Sequence, residues 1–245
     1  MKKVIIGIVA AVVVAVVLLA VFGVFGGGFV IIGSGDLTTR NFDLSDFDEV
    51  RAHSGFQLEI VQSSTFSVEV TADDNVMDYI DVDTSGNTLE IKPQWNRSFR
   101  LATLIAKITM PDLYEIKLSG GSQASIAGFN SSHDLSVGLS GGSSVTGNIT
   151  AGDVYLDLSG GSQVNLQGMA KDLDANGSGG SQLELEAFSV HNADINLSGG
   201  GRATINVNGA LYVNLSGGSH VTYTGLPKSI ETNLSGDSTV SRGDA

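Results

Sequence analysis

From Leu118 onward the chain alternates apolar and polar residues in short runs, and glycine interrupts them at a near-constant interval. The first interruption is Leu118-Ser119-Gly120-Gly121-Ser122, and its copies begin at Leu139, Leu158, Gly177, Leu197, Leu215 and Leu234. Their leading serines are spaced by 21, 19, 19, 20, 18 and 19 residues. A fixed period with turn residues in phase is the signature of a repeat architecture and outranks any local reading. Each turn is followed by a short run with period 2, such as Val164/Leu166 or Ala203/Ile205/Val207. A second run, such as Val154/Leu156/Leu158 or Leu211/Val213/Leu215, leads into the next copy. Period 2 marks half-buried strands. A unit of two strands of about five residues has too little core to stand alone, so it must stack on its neighbours. The prediction is an all-β chain, a right-handed parallel β-helix of about 19-residue coils spaced about 4.8 Å apart.

The corner residues fit that role. Glycine pairs allow φ > 0, where a side chain would clash. The pairs are Gly120-Gly121, Gly141-Gly142, Gly160-Gly161, Gly179-Gly180, Gly199-Gly200 and Gly217-Gly218, and they follow Ser119, Ser140, Ser159, Ser178, Ser198 and Ser216. The serines are expected to hydrogen-bond locally or to the equivalent serine one coil away. One polar position reads Asn176, Asn196, Asn214 and Asn233 in successive copies, which predicts an outward asparagine ladder. The position after the turn reads Gln123, Ser144, Gln163, Gln182, Arg202, His220 and Thr239.

Residues 42–117 alternate too, as in Phe56-Gln57-Leu58-Glu59-Ile60 and Leu89-Glu90-Ile91. They are expected to form longer, degenerate versions of the same coil. A single helical turn is expected within 74–81, with Val76, Met77, Tyr79 and Ile80 on its apolar side. At the other extreme, Val4 to Phe25 is apolar almost without interruption. At about 1.5 Å per residue, such a run spans the ~30 Å hydrocarbon core of a bilayer as a helix. It is longer than the apolar part of a cleaved signal, and no convincing small-residue cleavage site follows it. An uncleaved signal anchor is the first reading and a cleaved signal the second. Lys2 and Lys3 precede the run, which puts the N-terminus in the cytoplasm and the rest of this single-pass chain outside. The domain division is then 1–35 for anchor and glycine-rich spacer and 36–245 for the β-helix, irregular over 36–117 and regular over 118–245. Residues 26–40 are expected to be flexible spacer.

Composition narrows the function classes. The chain has 13 Lys+Arg against 26 Asp+Glu, a formal net charge of −13, and no cysteine. Disulfides and thiolate chemistry are excluded. So acidic a surface repels nucleic acid and anionic membrane surfaces, and no nucleic acid is expected as a partner. The membrane, through residues 4–25, and a glycan or protein at the cell surface are the expected partners.

An ordered series of stretches resembles a known family. It runs Gly55-Phe56-Gln57-Leu58-Glu59-Ile60, Ser67-Val68-Glu69-Val70-Thr71-Ala72-Asp73-Asp74-Asn75 with Asp78-Tyr79-Ile80, Gly86-Asn87-Thr88-Leu89-Glu90-Ile91, and Ile108-Thr109-Met110-Pro111-Asp112-Leu113 before the repeats. Over about residues 44–240 the chain resembles the bacterial and archaeal family called putative auto-transporter adhesin, head GIN domain. The resemblance implies a β-helical extracytoplasmic domain, and no catalytic residues come with it.

Two clusters carry chemistry outside the repeats. Asp73, Asp74 and Asp78, with Asn75, Asp81 and Asp83 nearby, offer hard oxygen ligands of the kind Ca²⁺ takes. Their spacing fits no EF-hand, and a strand-to-turn cap explains them as well. Trp95, Arg97 and Arg100, with Phe99 nearby, form a basic-aromatic patch suited to a sugar, an acidic polymer or a neighbouring chain. The competing reading is long side chains covering an edge strand. No catalytic residues, metal or cofactor are expected. The four histidines lack ligand spacing, and the repeat faces lack the converging carboxylates of a glycoside hydrolase. The expected function is a non-enzymatic, membrane-anchored surface module for adhesion or binding. The alternatives are a cis-acting envelope scaffold or stress component and a carbohydrate-active enzyme.

Overall fold

The computed structural model describes residues 29–243. From Glu115 onward each repeat unit contributes one strand to each of two sheets. Glu115–Ser119 to Ser229–Leu234 lie in a 10-stranded sheet, and Gln123–Asn130 to Thr239–Arg242 in an 11-stranded one. Every coil-to-coil pairing along the repeats is parallel. The chain is therefore a β-solenoid, as the period predicts. Alternation does the sorting. In Val154–Leu158 the residues alternate buried and exposed, so Val154, Leu156 and Leu158 face inward. Inward ladders such as Ile116–Val137–Leu156–Ala175–Ile195–Val213 run along the axis and form one continuous apolar core. Small residues are matched to large ones: a Cβ on Gly147 would lie 2.3 Å from Cγ1 of Ile126, whose side chain fills that space.

The corners hold the stack together, and the two glycines are needed for different reasons. The first glycine has φ between +65° and +86° at 141, 160, 179, 199, 217 and 236. A Cβ there would lie 3.1–3.4 Å from the backbone nitrogen of the equivalent glycine one coil earlier. The second glycine meets nothing within 4 Å at 121, 142 and 161, so its φ alone demands glycine. Gly180 departs from this, since its φ is not in the left-handed region. The second serine is buried at 122, 143, 162, 181 and 219. Its hydroxyl donates to the carbonyl of the first serine of its own corner, at 2.6–2.9 Å. So the serine bonds close these corners, and backbone bonds such as Ser159 N–H to the Leu139 carbonyl tie one coil to the next. Differences in repeat length are absorbed at bulges in the larger sheet, as between Leu185 and Ser189.

The first third is not simply degenerate coils. Its elements are β1 (Phe29–Ile32), β2 (Leu37–Phe42), β3 (Glu49–His53), β4 (Gln57–Gln62), β5 (Ser67–Asp73), α1 (Asp74–Met77), β6 (Ile80–Ser85), β7 (Thr88–Pro93), β8 (Arg97–Arg100) and β9 (Leu104–Met110). Only β3, β4, β7 and β9 are parallel rungs of the solenoid. Their order in space departs from chain order, because the β3–β4 coil lies between the later β7–β9 coil and the first repeat. β5, β2 and β6 pair antiparallel and finish this end of the two sheets. The helical turn is shorter than expected: Val76 and Met77 are buried in it, and Ile80 already starts a strand.

The spacer expectation needs correction. Residues 29–32 pair in parallel with Arg97–Arg100 as a two-stranded sheet, and 37–42 pair with β5. Ile31 and Phe42 pack against the core, which gives these strands a reason to stay. Among the described residues no helix is long and apolar enough to cross a membrane. The expected span over 4–25 lies outside the described residues.

Candidate functional site

The outward face of the 10-stranded sheet carries the best-built set of polar and aromatic groups. Two columns of side chains run along it, set by parallel register. The first reads Tyr155, Asp174, Asp194 and Tyr212 on four successive coils. The second, two residues further along each strand, reads Asp157, Asn176, Asn196 and Asn214. Both tyrosines are about half exposed, at 43% and 48%. Three coil steps of about 4.8 Å separate them, so they bracket the two aspartates across roughly 14 Å.

The columns are cross-linked within each strand. Asn176 Nδ2 donates to Asp174 Oδ1 at 3.1 Å, and Asn196 Nδ2 donates to Asp194 Oδ1 at 3.0 Å. The predicted asparagine ladder is thus present in register, but these two amides bond along their own strands rather than from coil to coil. Each bond orients a carboxylate and leaves its second oxygen, among the described residues, without a protein donor. Desolvation raises the Asp174 pKa above its ordinary value, and the neighbouring charges of Asp194 and Asp157 add to the effect. The tyrosine–aspartate column lines a depression of about 220 Å³. Beside it, a groove of about 470 Å³ runs between the asparagines and the serine corners, lined by Asp157, Ser159, Asn176, Ser178, Asn196 and Ser198. Such a volume is in the range of small-molecule sites. Lys171 caps one edge through Asp153 and Asp172, at 3.3 and 3.2 Å.

Sequence reading missed the tyrosine bracket. The signal was there, because Tyr155 and Tyr212 occupy one phase of the repeat, two residues before Asp157 and Asn214. The ladder after the turn was read correctly: Gln123, Ser144, Gln163, Gln182, Arg202, His220 and Thr239 stack in one register.

The residues of the acidic cluster each make a separate local contact. Asp73 is 1% exposed, and its two oxygens accept the backbone N–H of Gly35 and of Thr103, each at 2.6 Å. Those two bonds, Thr103 first, hold its carboxyl below the usual range. Asp74 accepts from the Ser34 hydroxyl at 2.6 Å, and Asp78 pairs with Arg40 at 2.8 Å. The three carboxylates therefore latch separate segments and do not converge. Among the described residues no group of three or more His, Asp or Glu is placed to hold a metal ion.

Trp95, Arg97 and Arg100 lie together at β8, as their spacing requires, but their roles differ. The Arg97 guanidinium sits over two rings, Phe29 at 4.9 Å and Tyr79 at 4.7 Å. It fastens β1 and is occupied. Trp95 is 92% exposed.

Fold and faces together define a class: a β-solenoid with a single core, capped at one end by antiparallel strands and displaying polar ladders in register. Within that class, residues 46–227 match the family described as "Putative auto-transporter adhesin, head GIN domain", and the chain belongs to it. Solved structures share the fold. A putative adhesin from Bacteroides fragilis superposes with a TM-score of 0.79 at 20% identity, over 87% of this chain and 100% of its own. A protein from Parabacteroides distasonis described as a putative lipid binding protein gives 0.74 at 20% identity, over 88% and 100%. A putative adhesin from Parabacteroides merdae gives 0.67 at 20% identity, over 88% and 99%. No curated protein matches the sequence.

Proposed function

We propose that this chain is a non-catalytic binding module of the cell surface, held at the membrane by residues 4–25, and that it takes a neutral glycan on the outward face of its 10-stranded sheet. The observation that carries this reading is the Tyr155–Asp174–Asp194–Tyr212 column. Tyrosine rings supply apolar faces for the C–H surface of a sugar ring, with a polar tip that tolerates water. Oriented carboxylate oxygens and the Asn196 and Asn214 amides supply acceptors and donors for hydroxyl groups. The roughly 14 Å between the rings suits several sugar units better than one. Acidic polymers are disfavoured by Asp157, Asp174 and Asp194 on the same face.

Membership in an adhesin-like family supports binding as the general role, and the descriptions of the structural relatives as adhesins and as a lipid binding protein point the same way. The expectation that the repeat faces lack neighbouring carboxylates needs correction, since Asp174 and Asp194 stand side by side on adjacent coils with Asp157 on the same face. Turnover of a polysaccharide panel is the test that separates catalysis from binding.

The test is a glycan array probed with the full-length chain in lipid nanodiscs, followed by titration of any hit. Tyr155→Ala and Tyr212→Ala are each expected to weaken binding roughly three- to tenfold, the worth of one aromatic contact. An array without hits, or a hit that neither substitution weakens, sinks the proposal.

A further inference from the structure

One apolar surface is left over by the fold and by the glycan face. It surrounds the two-stranded sheet of β1 and β8. Phe29 is 63% exposed, Val30 60%, Ile32 60%, Trp95 92% and Leu101 85%. Scattered apolar residues on a surface are ordinary, but Val30 and Ile32 share the side of β1 opposite the core-packed Ile31, and Trp95 and Leu101 lie at the two ends of β8, a grouping of the kind that marks an interaction site. The backbone presents it deliberately. Asn96 and Leu101, which flank β8, both have positive φ, at 62° and 51°. A leucine in that region is uncommon and costs about 1 kcal/mol or more. Here the strain does not serve to bury the leucine, since its side chain points to solvent.

The segment is also rigidly tied. The N–H of Phe29 donates to the Asn96 carbonyl at 2.9 Å, and that of Gly33 to the Arg100 carbonyl at 3.1 Å. Asn75 holds the next residues through the Ser34 N–H at 3.1 Å and the Ile32 carbonyl at 2.9 Å. The surface therefore has a fixed place relative to the solenoid.

Position names the occupant. The apolar run ends at Phe25, and only Gly26, Gly27 and Gly28 stand between it and Phe29. Four residue steps reach about 14 Å at full extension. The polar interfacial layer of a bilayer is itself about 5–7 Å thick on each side. A sheet that begins so close to the exit of a membrane span lies at, or just above, the lipid headgroups. Its side chains suit that layer: tryptophan is enriched there, and long cationic side chains reach up to the phosphates. Arg100 is on this sheet, opposite Ile32 in register. Of the nearby acids, Asp78 pairs with Arg40, and Asp73 and Asp74 accept from the Gly35 N–H and the Ser34 hydroxyl.

We infer that the β1–β8 sheet is a docking platform for the bilayer surface, with Val30, Ile32, Trp95 and Leu101 in the headgroup–acyl boundary and Arg100 at the phosphates. The inference rests on reading residues 4–25 as a membrane span. It gives the solenoid a fixed stance on the membrane instead of a free tether.

Trp95 is the only tryptophan in the chain, so one emission band reports the platform. The full-length chain is reconstituted into vesicles of phosphatidylcholine and phosphatidylglycerol, with and without bromine on the acyl chains near the headgroup. The expected result is a blue shift of about 10 nm from a water-exposed indole and roughly twofold quenching by the brominated lipid. Leu101→Asp combined with Val30→Asp, both at exposed positions, is expected to return the emission toward that of exposed indole, with the β circular-dichroism signal unchanged. A chain that floats with the vesicles while Trp95 is quenched by aqueous iodide and not by bromolipid overturns the platform and leaves the span standing. A blue-shifted Trp95 that bromolipid does not quench means protein covers it, which also overturns the platform. A chain that does not float with vesicles removes the span and the platform together.

Discussion

One corner of the solenoid lacks the serine that closes the others, and restoring it is a direct test of how the corners work. Gly201 stands where Ser122, Ser143, Ser162, Ser181, Ser219 and Ser238 stand in the other coils. At those corners the hydroxyl donates to the carbonyl three residues earlier, for example Ser162 to Ser159 at 2.7 Å. Gly201 is buried and has no positive φ, and a Cβ there would meet Leu197 and the Ser181 carbonyl at 3.4–3.6 Å, ordinary contact distances. Gly201→Ser should therefore fit without strain. Removing glycine's freedom in the unfolded chain is worth about 0.4–1 kcal/mol. The new bond to the Ser198 carbonyl adds about 0.5–1.5 kcal/mol. Gly201→Ala gains only the first contribution and so isolates the second. For a chain of this size, about 1.5 kcal/mol raises Tm by roughly 3–6 °C. Thermal melts of the full-length chain in detergent give the overall effect. Hydrogen exchange at the His220 N–H, which donates to the Gly201 carbonyl at 2.9 Å, gives the local one, which matters because a repeat array need not melt in one step. Ser and Ala variants of equal stability would refute the claim that the hydroxyl closes the corner, and destabilisation by both would show that glycine is required there.

Two other outcomes test the same logic. Gly160→Ala, at φ +66° and with its Cβ 3.2 Å from the Gly141 nitrogen, should cost more in urea unfolding than Gly161→Ala, which has open space and pays about 1–2 kcal/mol for φ alone; equal costs would show that coil spacing is not set by the first glycine. Asp73→Asn replaces one of two charge-assisted acceptors by a donor and should cost about 2–3 kcal/mol, seen as faster exchange at the Gly35 and Thr103 amides. Because folding lowers the Asp73 pKa, its contribution is present above the unfolded carboxyl value of about 3.9 and fades as pH falls through the folded value. The gap between wild type and Asp73→Asn should therefore be full at pH 6 and begin to narrow only below about pH 4, and a gap independent of pH would exclude the carboxylate as its source.

The repeat half was legible because its rules are local and repeated. Alternation named the inward residues, and the glycines marked corners whose left-handed backbone followed from their type. Register then followed from counting, which is why the column from Gln123 to Thr239 came out in order. The cap was not legible for the same reason. Nothing in the alternation of Ser67–Asp73 distinguishes a parallel rung from an antiparallel one, since either buries every second residue. The order of β3–β4 and β7–β9 depends on which apolar ladders meet across the core, a long-range choice that no local pattern encodes. Gly26-Gly27-Gly28 and Gly33-Ser34-Gly35 make residues 26–40 read as spacer, and residues 29–35 fall within that stretch. What orders them is distant: Asp73, Asn75 and Arg97 are all contributed from at least 38 positions away. The tyrosine bracket was missed because the repeat was aligned on what it conserves in shape, its corners and core. Function on a solenoid is written where copies differ.

That distinction has a consequence for how this fold acquires function. Corner and core positions are fixed by backbone geometry and packing, so a change there acts on stability. The outward positions are held in register whatever they contain, about 4.8 Å apart along the axis. Two tyrosines in one phase, three coils apart, therefore face the same way at a set distance without any feature dedicated to aligning them. The two surfaces inferred here use the two kinds of freedom the molecule has. The proposed glycan face exploits variation between otherwise equivalent coils. The proposed membrane platform lies where the repeat fails, in a cap whose strands are free of the corner rule and can hold a strained Leu101 with its apolar side chain exposed. If both assignments hold, the platform fixes the stance of the solenoid on the bilayer, and that stance fixes the height at which Tyr155 and Tyr212 meet a ligand. Lengthening Gly26–Gly28 should then leave affinity for soluble glycan unchanged and alter only binding to glycan on an opposing surface.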